Sequence, residues 1–423
     1  MNFFSKYKKL ILVILFIAFV LGAAYLLYIF FFRDMTSPDI TGGSITTIDN
    51  TGRLPQAGPG SNINPIGNAT GSLPIGSDVA SDDPSFVANP NPNITPTAVG
   101  RITETSQLVS GPTVGQMINN TTGQIQYYNP ADGKFYGVDK NGKTSPLSNK
   151  VFHNVNTVTW SNDGNKAVLE YPDNSKIIYD FANKKQVTLP KHWEDFDFSA
   201  NSEQLVMKSL GMDRDSRYLA ITNSDGSGGK IIEFIGDNDK RVYPSWSPNN
   251  QIVGMYTEGI DYDRQTVYFL GLNNENFKST VIPGRGFQQQ WSPDGKRLLY
   301  SVYYSENQMK PMLWIVDASG SQIGNNRQML NVQTWAEKCT FANNNELYCA
   351  VPTSLDYGAG FLPSLSNQTP DQIYRINTQS GTKQLIAIPQ NEVTIASLFV
   401  SPDGNNLYFT DKNNGSINKI RLR

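Results

Sequence analysis

Trp291-Ser292-Pro293-Asp294-Gly295-Lys296-Arg297-Leu298-Leu299-Tyr300 decides how this chain folds. It reads as a strand end, a tight turn and a second, apolar strand. Asp suits the turn because its carboxylate can bond the local backbone, and Gly because it accepts positive φ. The phrase returns in altered form at Trp160-Ser161-Asn162-Asp163-Gly164, Phe198-Ser199-Ala200-Asn201, Trp246-Ser247-Pro248-Asn249, Thr340-Phe341-Ala342-Asn343 and Val400-Ser401-Pro402-Asp403-Gly404. Each copy precedes an apolar run.

Successive copies lie about 38 to 60 residues apart. A hairpin recurring at that period predicts an all-β, seven-bladed β-propeller, one four-stranded blade per repeat. A single blade cannot bury both faces, so blades must stack and the ring must close. The first blade lacks the Trp phrase but keeps hairpin turns at Asp132-Gly133 and Asn141-Gly142. The seventh runs out of chain after three strands. Arg101 to Ser106 is spare and is expected to supply the fourth.

The phrase resembles the WD40-like (PD40-type) repeat of TolB-type periplasmic proteins. The resemblance rests on Trp160, Trp246, Trp291 and the Ser-x-Asp/Asn residues after them, with Ser401 to Gly404, and covers roughly residues 104 to 423. It implies a propeller fold and leaves function open. Where TolB has a small α/β domain, this chain shows an anchor and a linker, so TolB's own role does not carry over.

Lys6, Lys8 and Lys9 precede an uncharged apolar run from Leu10 to Phe32. Its length matches a helix across a hydrocarbon layer of about 30 Å. The expectation is a cytoplasmic tail (1–9), a transmembrane helix (10–32) contacting the lipid bilayer, and an extracytoplasmic remainder. A cleaved signal peptide ending near Gly22-Ala23-Ala24 is the alternative. Residues 33–100 are rich in Gly, Pro, Ser, Asn and Thr and read as a disordered linker. The propeller is assigned to 101–423.

Trp160, Trp246 and Trp291 share one repeat position and read as packing between blades. Trp193 and Trp335 stand outside the phrase and are read as candidates for an exposed face. The loops between second and third strands lengthen in blades three to six, most of all from Val351 to Pro370. Long loops on a rigid ring are where binding concentrates. The expected binding face comprises Asp213, Tyr262, Asp263, Arg285, Tyr304, Trp335, Tyr357 and Phe361. Aromatic residues supply hot spots there, and Arg285, between two glycines, suits a carboxylate.

No catalytic constellation stands out. His153 and His192 have no neighbours at ligand spacing, so no zinc site is expected. Asp261-x-Asp263 alone is too little for calcium. There is no Gly-x-Ser-x-Gly elbow, no phosphate loop and no cofactor motif. The 35 Lys and Arg against 37 Asp and Glu argue against a nucleic-acid partner. Cys339 and Cys349 flank the turn Asn343-Asn344-Asn345. A turn centred on Asn344 opposes them for a disulfide, whereas a half-residue shift opposes Cys339 to Tyr348. The first functional expectation is therefore a membrane-anchored, non-enzymatic module of the cell envelope that binds a protein or peptide. A propeller enzyme of the lyase or cyclase type and a purely structural surface protein are the alternatives.

Overall fold

The computed structural model describes residues 20–22 and 94–423, except 274. Seven antiparallel sheets follow one another along the chain from Val114. In blade 5 the strands are Arg285–Trp291, Arg297–Tyr303, Met312–Asp317 and Gln328–Met329, in that order from the inside outwards. Seven hydrophobic clusters fill the seams between neighbouring blades. The one that joins Ile125, Tyr127 and Val138 of blade 1 to Tyr408 and Ile417 of blade 7 closes the circle. The chain is a seven-bladed propeller.

The repeated phrase builds the same turn wherever its serine is present. The Oγ of Ser161, Ser199, Ser247, Ser292 and Ser401 donates to the Asp or Asn two residues on, at 2.5–2.7 Å. The same five oxygens accept the backbone N–H five residues on, each at 2.9 Å. Gly164, Gly295 and Gly404 take φ values of 69°, 65° and 67° in these turns, where a Cβ would be strained. Blade 6, where Ala342 follows the Phe341–Leu347 pair in the serine's place, carries a bulge between Phe341 and Asn343.

Each seam is also tied by a polar side chain bonded to a crossover or turn. Tyr128 Oη donates to the Phe152 carbonyl at 2.6 Å. Lys176 Nζ reaches the Lys191 carbonyl at 3.0 Å, Lys208 Nζ the Asp239 carbonyl at 2.8 Å and Gln265 Nε2 the Gly284 carbonyl at 2.8 Å. Ser301 Oγ accepts from Ala336 N at 3.1 Å, and Asp371 Oδ2 from Ile395 N at 2.6 Å. Thr113 Oγ1 donates to Gly415 O at 2.6 Å. These buried polar groups are thus satisfied by the ring itself.

The ring closes twice. Ser106–Val109, not Arg101–Ser106 as a whole, pairs antiparallel with Ile417–Arg421 and completes blade 7. Arg101–Thr103 instead pairs parallel with Lys383–Pro389 and adds a fifth strand to blade 6. Residues just before it are tied down too: Ala98 N donates to the Arg421 carbonyl and Gly100 N to that of Ile386. Cys339 and Cys349 lie opposite in register and are disulfide-bonded.

The membrane expectation requires correction. Among the described residues no helix is long and apolar enough to cross a membrane. Of the span 10–32 only the helical residues 20–22 are described; the rest, like most of the expected linker, lies outside the described residues. The spanning helix, the bilayer contact and the single-pass localisation drawn from composition therefore have no support in the fold.

Candidate functional site

Strands of alternating direction place the inter-blade crossovers and the second-to-third-strand loops on one face. On it, a ridge of side chains runs across blades 4 to 6. It begins in the turn after Ile252–Gly259, where Ile260 N bonds Arg264 O at 3.0 Å and Arg264 pairs with Asp261 at 2.6 Å. That turn leaves Tyr262 70% exposed.

Arg285 comes next, at the start of the inner strand of blade 5. Gly284 and Gly286, at φ 80° and 66°, flank it. A Cβ on Gly286 would lie 2.3 Å from the Tyr303 ring, so glycine here lets that ring approach. The Arg285 guanidinium donates through Nη2 to the Asp261 carbonyl and through Nε to that of Tyr262, at 3.4 Å. Its Nη1 has no hydrogen-bond partner among the described residues.

Tyr303 stands opposite Arg285 across the strand pair. Burial pushes its phenol pKa up, Tyr262 adds to the rise, and Arg285 opposes it. The phenol is therefore protonated at neutral pH. Its ring meets Phe361 edge-on at 5.9 Å between centroids. The long insertion of blade 6 is held here by backbone bonds from Gly358 N to Gln308 O at 3.0 Å and from Gly360 N to Met309 O at 2.7 Å. Phe361 stays 71% exposed, and Leu362 and Leu365 extend the patch.

Of the residues picked from sequence, the structure brings Tyr262, Arg285 and Phe361 into one surface. Asp263 and Tyr304 lie beside it, facing the seam between blades 4 and 5. Asp263 accepts both Ser305 N, at 2.8 Å, and Ser305 Oγ. Asp213 and Tyr357 are exposed, but no hydrogen bond, ion pair or ring contact among the described residues joins them to the ridge. Trp335 is buried, 5% exposed, because the short helical turn Ala336–Lys338 folds it inward. Trp193 packs against the seam of blades 2 and 3. Tyr303 was not picked. Its place opposite Arg285 was the available signal, but a bulge between Arg285 and Gln288 shifts the register. Among the described residues no group of three or more His, Cys, Asp or Glu could hold a metal ion.

No family model matches the chain, and no curated protein does. Solved structures do. The β-propeller domain of Myceliophthora thermophila Cps50 (Swd1) is 12% identical, with a TM-score of 0.50, over 75% of this chain and all of that one. An oligogalacturonate lyase in complex with manganese is 12% identical, with a TM-score of 0.49, over 75% of this chain and 93% of its own. A streptogramin B lyase is 13% identical, with a TM-score of 0.49, over 75% and 97%.

Such likenesses show the fold alone. The first expectation, a membrane-anchored envelope scaffold, is corrected in its anchor. Its anchor has no support among the described residues, and the likenesses leave the question of activity to the site itself.

Proposed function

We propose that this chain is a propeller enzyme of the lyase type, acting on an acidic, ring-bearing substrate seated on Tyr262, Arg285, Tyr303 and Phe361. One observation carries the reading. A guanidinium nitrogen without a protein partner lies beside a protonated phenol that has none either. Arg285 Nη1 would bind the substrate carboxylate, a charge-assisted contact. Neutralising that carboxylate acidifies the adjacent C–H and stabilises the charge that develops as the bond breaks. The Tyr303 oxygen would take the carbon's proton as its own proton passes to the leaving oxygen, so one phenol serves both halves of the elimination. The exposed rings of Tyr262 and Phe361 would stack on the substrate.

The test is to incubate the full chain with acidic oligosaccharides, oligogalacturonate among them, and to follow the ultraviolet absorbance of the unsaturated product. Tyr303→Phe should abolish product while leaving binding by calorimetry intact. Arg285→Gln should abolish both. A wild-type chain that binds these substrates without forming product, or that neither binds nor converts any of them, would refute the reading.

A further inference from the structure

Tyr304 is extended, at φ −152° and ψ 164°, so it points away from the side that Tyr303 takes. Tyr262 and Tyr303 serve the ridge, and their successors Asp263 and Tyr304 face a cleft between blades 4 and 5. The cleft holds about 410 Å³ and is lined by Asp263, Pro283, Tyr304, Glu306, Trp314 and Met329. That volume lies within the roughly 300–1,000 Å³ of small-molecule sites.

We propose that this cleft binds an organic ammonium group, primary or quaternary. Its walls are two aromatic rings and a thioether. Trp314 is fixed by stacking on the fully buried Tyr300, with ring centroids 6.5 Å apart and planes 13° apart. Tyr304 is fixed by its hydroxyl, which lies 3.7 Å from Met329 Sδ. Two carboxylates complete the lining. Asp263 is oriented by Ser305, whereas the exposed Glu306 side chain has no hydrogen bond or ion pair among the described residues. Glu306 is close enough to Tyr304 to help raise its pKa, after burial.

Aromatic faces attract cations through their quadrupole, and a nearby carboxylate adds to the attraction. Among the described residues no lysine or arginine stands over either ring. Arg327, on the same seam, is turned to the Val281 carbonyl and does not line the cleft. A site with acids at its rim and no internal cation fits a cationic ligand and repels the carboxylates suited to Arg285. The inference therefore goes beyond the lyase reading and does not rest on it.

Calorimetric titration of the full chain with choline, against its neutral carbon isostere, tests the cleft directly. Choline should bind about tenfold or more tightly than the isostere, as cation–π and carboxylate attraction together imply. Glu306→Gln should weaken choline several-fold and leave the isostere unchanged. Trp314→Phe, which keeps an aromatic wall, should retain more binding than Trp314→Leu, with circular dichroism and the isostere reporting on folding. Equal affinity for the two probes, no choline binding, or an unaffected Glu306→Gln variant would each overturn the proposal. None of these results depends on product formation.

Discussion

Lys338 and Asp371 meet between blades 6 and 7, with the lysine Nζ 2.7 Å from both carboxylate oxygens. Their side chains are 7% and 0% exposed. Burial pushes the Lys338 pKa down and the Asp371 pKa up, and each partner counters the shift of the other. Asp371 also accepts Ile395 N, so one carboxylate joins the entry of blade 6 to that of blade 7. Removing one partner leaves a buried charge alone. Asp371→Asn should cost about 3–5 kcal/mol, and replacing both residues by Met and Leu should cost much less. Urea unfolding of the two single variants and the double variant measures the difference. A double-variant loss equal to the sum of the two single losses would mean that the pair has no special role.

Asp197, in the inner strand of blade 3, accepts Trp246 N at 2.7 Å. Burial pushes its carboxyl up to about 6, against the pull of backbone hydrogen bonds from Trp246 and Phe198. The folded pKa thus lies above the unfolded value of about 3.9. Its contribution to stability is fully present below that unfolded value and is lost as pH rises through about 6. The span of the shift corresponds to at most about 3 kcal/mol. Asp197→Asn keeps an oxygen for Trp246 N and has no charge to desolvate. It should be more stable than the parent at pH 7 and lose that advantage near pH 4. Denaturation midpoints across this range that stay parallel for the two chains would contradict the assignment.

The ring was legible in sequence because its code is local. Ser292 and Asp294 set their turn within a few residues, and the same chemistry recurs at Ser161, Ser247 and Ser401. Seam packing of Trp246 and Trp291 followed from the shared repeat position. The ridge was legible only in part. Tyr262, Arg285 and Phe361 announce themselves as loop residues, but the role of Tyr303 depends on a long-range register that periodicity does not carry. Trp335 was misplaced because a three-residue helical turn reverses its direction. The membrane reading relied on composition alone, and no helix among the described residues supports it.

Gly360 controls how the blade 6 insertion sits on blade 5. A Cβ there would lie 2.6 Å from Tyr303 Cβ and 2.7 Å from the Met309 carbonyl oxygen, the acceptor of the Gly360 N–H. Gly360→Ala must therefore push the insertion away from the ridge, at a cost of about 1–3 kcal/mol for overpacking. Hydrogen exchange should quicken at Gly358 and Gly360 and leave the strands of blade 5 protected. Substrate binding at Phe361 should fall with it. Unchanged exchange at both glycines would show that the insertion is held by other means.

The double closure makes two truncations behave differently. A chain beginning at residue 105 loses the parallel strand Arg101–Thr103 and the backbone ties of Ala98 and Gly100, but blades 6 and 7 keep their four antiparallel strands. A chain beginning at residue 111 also loses Ser106–Val109, the partner of Ile417–Arg421. Leu108 and Val109 then no longer cover the cluster around Ile417 and Tyr408 at the seam that shuts the ring. Losing their burial should cost roughly 2–4 kcal/mol. The bared strand edge should in addition promote association between chains. The longer chain should melt close to the parent, and the shorter one well below it, with light scattering that grows with concentration. Equal melting of the two truncations would show that the ring does not depend on this strand for closure.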